Sequence, residues 1–248
     1  MIRKPPDSCS PGDLVEINRQ FYEPLWASSH LVSPERFNTW PLVSSLVATS
    51  SSRLEVGPGL NPRLPIAGTR FVDISEAAVA KLVAGGAHAT VGLVGHLPYA
   101  DAAFDLIGAF DVLEHVDDDD EALAELSRVA APEATILLSV PLHESRWTRF
   151  DELVGHGRRY RPDVLLTRLA RERWSVEQSG VYGMQPRSTL LADFVVWSLE
   201  HRRHRAIWWY SRLILPLGTF FQSKLELRPG MINAEDVDEI LLVGRRSR

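Results

Sequence analysis

The chain has almost no cysteine: Cys9 stands alone among 248 residues. That excludes an intramolecular disulfide and a metal site built from several thiolates. No run of 18 uninterrupted apolar residues occurs, so no spanning helix is expected. No apolar stretch follows the opening Met1-Ile2-Arg3-Lys4-Pro5-Pro6-Asp7, so no signal peptide is expected and a cytoplasmic location is. Basic charge is also short, with 27 Lys and Arg against 32 Asp and Glu. The net charge of −5 leaves no overall footprint for nucleic acid, and no nucleic-acid partner is expected. The 45% apolar content is enough for a substantial core in one large α/β domain with elaborations.

Against these absences stands one dense local pattern. Arg53-Leu54-Glu55-Val56-Gly57-Pro58-Gly59-Leu60-Asn61 is an apolar strand running into an acid and a glycine turn. A second short strand, Phe71-Val72-Asp73, ends in an acid eighteen residues after Glu55. Glycines let the backbone approach a ligand closely. The second acid is placed to accept from two ribose hydroxyls. This is the layout of a nucleotide-like cofactor site at the edge of a parallel sheet. Taken alone, E-x-G-x-G also fits an ordinary strand-to-helix turn.

Context favours the cofactor site. Strands and helices alternate from residue 53 onward: strands at 53–56, 70–73, 89–93, 104–110, 134–140 and 175–182, and a last one at 238–246 that opens its apolar run at Glu239. Helices are expected at 75–84, with Ser75 as N-cap, at 118–130, and after Pro162. Such alternation predicts a mostly parallel sheet covered by helices on both faces. The acids Asp117 to Asp120 suit a helix N-terminus, where the macrodipole favours negative charge. Ahead of the sheet, residues 1–50 form an N-terminal helical flap, its first 13 residues frayed and the rest broken by Pro24, Pro34 and Pro41. Its aromatics Phe21, Tyr22, Trp26, Phe37 and Trp40 pack on the core or also cover the cofactor or acceptor.

Five ordered pieces resemble the class I S-adenosylmethionine-dependent methyltransferases of the small bacterial type. They are Leu54-Glu55-Val56-Gly57-Pro58-Gly59, Val72-Asp73-Ile74-Ser75, Leu97-Pro98-Tyr99, Phe104-Asp105-Leu106-Ile107 with Leu113-Glu114-His115-Val116, and Ser139-Val140-Pro141. The resemblance covers residues 53–182 and the last strand. It implies a Rossmann-like, doubly wound seven-stranded sheet in one domain spanning 1–248, with 53–182 as the cofactor-binding core. It implies S-adenosylmethionine as cofactor and S-adenosylhomocysteine as product. By this resemblance Glu55, Gly57, Pro58, Gly59 and Asn61 line the methionyl end, and Asp73 holds the ribose, with Ile74 against the adenine. Leu93 and Val94 sit beside that ring, and Phe110 and Asp111 face the sulfonium. Two positions depart from the common pattern. Asn61 replaces the third glycine, and asparagine tolerates positive φ. Leu93 stands where many relatives carry an aspartate for the adenine amino group, so adenine must be held by backbone and apolar contacts.

Methyl transfer from a sulfonium is an in-line displacement in which the protein supplies position and electrostatics. A general base is needed only where the acceptor must lose a proton. His115, His143 and His156 are the candidates, each weighed against a purely structural role. No metal ligand set is assigned, although carboxylates and histidines gather near one rim. Arg158, Arg159 and Arg161 either bind an acidic acceptor or form a solvated basic loop. Residues 184–235 are long for a closing hairpin and predict a helical lid insertion. Within 190–221, aromatics beside His201-Arg202-Arg203-His204-Arg205 suit a lid over an apolar acceptor pocket, contact with a membrane surface, or a homodimer interface. The resulting expectation is methylation at O or N of a small-molecule acceptor, apolar or lipid- or sugar-linked. The alternatives are a non-catalytic partner-binding protein of this fold and a methyltransferase acting on RNA or protein.

Overall fold

A computed structural model describes residues 13–183 and 222–248, with four single positions between them. The elements are α1 (Asp13–Ser28), α2 (Trp40–Val47), β1 (Arg53–Val56), β2 (Thr69–Asp73), α3 (Glu76–Ala84), β3 (His88–Val91), β4 (Phe104–Phe110), α4 (Asp119–Val129), β5 (Ala130–Pro141), α5 (Arg149–Val154), α6 (Pro162–Arg171), β6 (Trp174–Val181), β7 (Arg228–Pro229) and β8 (Glu239–Arg246). They build one sheet in the order β3-β2-β1-β4-β5-β8-β6-β7. The first five are parallel, and β8 lies antiparallel between β5 and β6. The chain winds outward from β1 to β3, then returns to β4 on the other side. That reversal opens a crevice beyond the carboxyl ends of β1 and β4, where doubly wound sheets bind ligands.

Alternation along each strand sends successive side chains to opposite faces. Leu54, Val56, Ile107, Ala109, Ile136 and Leu138 pack with Leu123 and Leu126 of α4 and with Leu165 and Leu169 of α6. On the other face, Leu106 and Leu137 meet Val43 of α2, while Phe71 meets Leu82 of α3. Glu55, between Leu54 and Val56, therefore faces the second side, under the loop that follows β1.

Some expectations need correction. The sheet has eight strands because β7, two residues long, pairs on the outer edge of β6. Pro24 does not break the flap: α1 runs through it. The half of the helix around and beyond the proline is held from outside. Glu23 accepts from the Ala77 N–H and the Ser75 hydroxyl at the start of α3, at 2.9 and 2.6 Å. Lys81 donates to the carbonyls of Trp26, Ala27 and Ser29 at 2.8, 2.7 and 2.6 Å, capping the carboxyl end. Pro34 and Pro41 open helical turns rather than ending them, as their missing N–H allows. The helical insertion expected over 184–235 falls mostly outside the described residues, as do the readings of 190–221. The described positions within it, 197, 198, 201 and 209, are helical, whereas its tail, 222–235, has no helix and carries β7. No helix among the described residues is long and apolar enough to cross a membrane.

A candidate cofactor and acceptor site at the carboxyl ends of the strands

The turn after β1 depends on its glycines. Gly57 and Gly59 have φ of +61° and +52°, conformations that disfavour a side chain. A Cβ on Gly57 would meet Val112, and one on Gly59 would collide with the indole of Trp26. Trp26 of the flap therefore lies directly on the glycine loop, stacked in turn on Tyr22. Pro58 is buried, and its carbonyl accepts from the Asn61 N–H at 3.0 Å to close the turn. Asn61 itself is absent from the positive-φ set, so its tolerance of that region is not used here. Its buried Oδ1 has no hydrogen-bond partner among the described residues.

The two acids behave differently. Asp73 Oδ2 accepts from the Gly59 N–H and Oδ1 from the Ser75 N–H, both at 2.8 Å. Each carboxylate oxygen has two acceptor positions, so capacity for two hydroxyls remains. Burial pushes its pKa up to about 6, against the opposing N–H bonds. Glu55 is 1% exposed and accepts from the N–H groups of Arg63 and Leu64 at 2.7–3.1 Å. Its pKa is pushed up to about 7, again mainly by burial. Glu55 thus shapes the loop from beneath, which is a positioning role. Arg63 supplies the local counter-charge and stacks its guanidinium 3.6 Å from the Phe37 ring centroid. The sequence signal for Arg63 was absent, because nothing in its neighbourhood marks it as buried.

Further along the rim, Ile74 is half-buried and Leu93 is 45% exposed, both open to a ligand. Val94 and Phe110 are not. Val94 is buried in the main core, and Phe110 packs with Val43 and Leu64 on the other face. Val94 sits in the turn after β3, and Phe110 is the last residue of β4 before the chain turns at Asp111. Asp111 is held at φ +54°, with its carboxylate accepting from the Ser139 hydroxyl at 2.7 Å. A non-glycine residue in this region is strained and marks functional sites often. Beside it, Glu239 hydrogen-bonds the Asp111 carboxyl, and burial followed by the Asp111 charge holds Glu239 well above the usual carboxylate range. The Tyr182 hydroxyl, also raised by burial, accepts from Arg63 Nε at 3.0 Å.

Two of the three candidate histidines come together. The His115 and His156 rings lie edge to face with centroids 4.7 Å apart. Nδ1 of His115 meets the Gly155 carbonyl at 3.2 Å, and Nε2 meets the Tyr22 hydroxyl at 3.3 Å. Burial lowers the His115 pKa well below its ordinary value, so the ring is neutral. Nδ1 of His156 donates to Asp151 at 2.8 Å. His143 stands elsewhere: its Nε2 meets the Ala234 carbonyl at 2.6 Å, tying down the segment before β8.

The solvated basic loop holds only for Arg161, whose side chain stays exposed; Arg159 and Arg158 turn inward. Arg159 is buried between Asp151, at 2.8 Å, and Asp238, at 2.9 Å. Arg158 pairs with Asp119 at 2.9 Å, and Arg161 pairs with Asp163 at 2.8 Å. Tyr160 donates to Asp119 at 2.8 Å, so that acid anchors the loop rather than serving only the helix dipole. Asp118 is the N-cap of α4, accepting from the Glu121 N–H at 2.9 Å. A depression of about 330 Å³ lined by Arg53, Arg70, His88 and Tyr99 lies at the amino ends of β1–β3, opposite this site.

The fold and this crevice define a class: the class I S-adenosylmethionine-dependent methyltransferase fold. Residues 54–138, about a third of the chain, match a family model described as a methyltransferase domain. A curated relative, norajmaline N-methyltransferase of Rauvolfia serpentina, is 40% identical over 55 residues. That match covers 22% of this chain and 19% of the relative, so the chain matches only about a fifth of that protein's length. Among solved structures, a SAM-dependent methyltransferase from Thermotoga maritima, possible histamine N-methyltransferase, superposes with a TM-score of 0.61 at 13% identity. It covers 94% of this chain and 99% of its own. A Haemonchus contortus phosphoethanolamine N-methyltransferase, in complex with phosphomonomethylethanolamine and S-adenosylhomocysteine, gives 0.55 at 12% identity. That likeness covers 98% of this chain and 61% of the other. S-adenosylmethionine is the cofactor of this class, and the glycine loop, the orphaned Asn61 Oδ1 and the spare capacity of Asp73 fit it.

Proposed function

We propose that this protein methylates the nitrogen of a small amine, with S-adenosylmethionine as donor. The observation that carries this reading is the excess of carboxyl groups at the end of β4. Asp111 and Glu239, both half-buried, form a hydrogen-bonded pair, and Glu114 adds a fully buried carboxyl close by. The Arg63 side chain is bonded to the Tyr182 hydroxyl and the Asn61 carbonyl, and Arg159 to Asp151 and Asp238. Burial favours the neutral form of Glu239 and Glu114, so a cation here would be drawn to the Asp111 carboxylate, with Glu239 and Glu114 as neutral hydrogen-bonding neighbours. When bound, the cofactor supplies a methyl group activated by its sulfonium. Asp73 holds the ribose, and Gly57 and Gly59 permit close backbone approach. The Asp111–Glu239 pair binds the acceptor's ammonium, and its ionised member takes the proton that must leave before nitrogen attacks. Tyr22 and Trp26 of the flap keep water from the glycine loop. The amine acceptors in the names of the three relatives agree with this chemistry.

The test has two parts. Thermal unfolding with S-adenosylhomocysteine should show a rise that Asp73→Ala loses; at 100 times Kd the added stability is about 2.7 kcal/mol. A panel of amines and hydroxyl compounds should then give turnover with amines, and Asp111→Asn should lower kcat/KM by about 10²-fold or more. Turnover confined to hydroxyl acceptors would refute the amine reading and leave the cofactor site standing.

A further inference from the structure

The turn after β4 and the loop after α5 bring three metal-ligating side chains to one point. Ligand atoms of Glu114, His115 and His156 all lie within 4.8 Å of one another. His156 Nε2 is 4.0 Å from Glu114 Oε1, beyond hydrogen-bond reach. Both rings are oriented from behind. His115 Nδ1 faces the Gly155 carbonyl at 3.2 Å, and His156 Nδ1 faces Asp151 at 2.8 Å. In the neutral ring an oxygen acceptor at Nδ1 takes the proton there, which makes Nε2 the nitrogen free to ligate. A carboxylate or carbonyl behind an imidazole is the usual support of a metal-bound histidine. The third residue supplies an independent sign. Glu114 is 1% exposed, and its Oε2 has no partner among the described residues. A buried acceptor left unpaired is costly unless something binds it.

The backbone holds the three in place. The Gly157 N–H donates to the Glu114 carbonyl at 2.6 Å, and Asn18 Nδ2 donates to the His115 carbonyl at 3.0 Å. Gly155, at φ +76°, ends α5 and turns His156 inward. The cluster is therefore built on rigid supports, as a binding site needs.

We propose that Glu114, His115 and His156 form a site for one divalent first-row transition cation, of which zinc is the working probe. Two imidazoles and one carboxylate suit zinc, iron, cobalt or nickel better than magnesium or calcium. Ligand atoms on a tetrahedral zinc lie about 3.3 Å apart, given bonds of about 2.0–2.1 Å, so side-chain rotations of about an ångström close the site. Tyr22 gives up its bond to His115 Nε2 as the cation takes that nitrogen's lone pair. Three protein ligands leave a coordination position open to water or another donor. The site links the flap to the loop after α5; it takes up Glu114, one of the three carboxyls invoked for the amine, and leaves the Asp111–Glu239 pair to the acceptor.

The experiment is a titration of chelator-stripped full-length protein with Zn²⁺ against a fluorescent competitor, repeated with Co²⁺ and read by its ligand-field absorption. One equivalent is expected, with a low-coordinate Co²⁺ spectrum. His156→Gln, His115→Asn and Glu114→Gln should each weaken binding by more than the roughly 10–100-fold that loss of a supporting partner costs. His143→Gln, outside the cluster, should bind as wild type does. Far-UV circular dichroism and metal-free Tm establish that each variant is folded, so lost binding is lost ligation. Less than one equivalent on wild type, or wild-type affinity retained by any two folded ligand variants, overturns the proposal. S-adenosylhomocysteine binding is measured in parallel on stripped protein. Zinc bound without it would leave this site standing while the cofactor reading fails.

Discussion

Glu55 carries a carboxyl that burial holds at about 7, against 4.5 for the free group. The folded state therefore keeps its proton to higher pH than the unfolded state does. The stability this contributes is fully present below pH 4.5 and is lost as pH rises through about 7. Comparing urea melts of wild type and Glu55→Gln from pH 4.5 to 8 isolates it. Wild type should lose on the order of 2–3 kcal/mol relative to the variant across that window. A flat difference would mean that Glu55 is ionised throughout. Asp151 has the opposite sign. Its pKa is lowered: burial works against this, but hydrogen bonds from His156, Arg159 and Thr148 prevail. Its contribution is present above its unfolded value and lost toward strong acid. Asp151→Asn leaves the buried Arg159 with only Asp238 and should cost about 3–5 kcal/mol at pH 7, read by urea unfolding. None of this was visible as residue types. Asp151, Arg159 and Arg63 look like surface charges until burial is known. Glu55, Gly57, Gly59 and Asp73 were legible because their spacing reports a local turn.

At the scale of elements, α1 contains the clearest conflict between local preference and tertiary context. A proline inside a helix removes one N–H and crowds the preceding turn, at a cost of about 3 kcal/mol. The helix persists because Lys81 caps one end and Glu23 is bonded to α3. Pro24 is exposed, so Pro24→Ala removes the conflict without opening a cavity. The variant should be more stable by about 1–3 kcal/mol, seen as a higher Tm. The short helix α5 was missed because six residues carry too little periodicity. Its capping box, Thr148 with Asp151, was available as a signal. Strands β1, β2 and β4 were legible nearly to the residue, because each is a short apolar run closed by a turn. The boundary between α4 and β5 was less so, since β5 begins at Ala130 with no intervening loop.

For the whole molecule, stability rests on the two cores that sandwich the sheet. Leu126 is fully buried between α4 and the strands. Leu126→Ala should cost about 2–5 kcal/mol, a fall in Tm of roughly 5–15 °C for a chain of this size. S-adenosylhomocysteine at 100 times Kd should restore about 2.7 kcal/mol of that, because Leu126 is remote from the glycine loop. Failure of the ligand to do so would mean that the core and the crevice are coupled. The order of elements and the cofactor turn were set by the sequence alone, since hydrophobic period, glycine spacing and the placing of acids at strand ends act over a few residues. Only the tertiary structure decided which charges are buried and what they hold. It put Trp26 on Gly59, joined Asp111 to Glu239 across 128 residues, and set His156 beside Glu114. Those contacts arise where distant strand ends and loops meet, and the free energy of a charge there depends on neighbours that no local pattern contains.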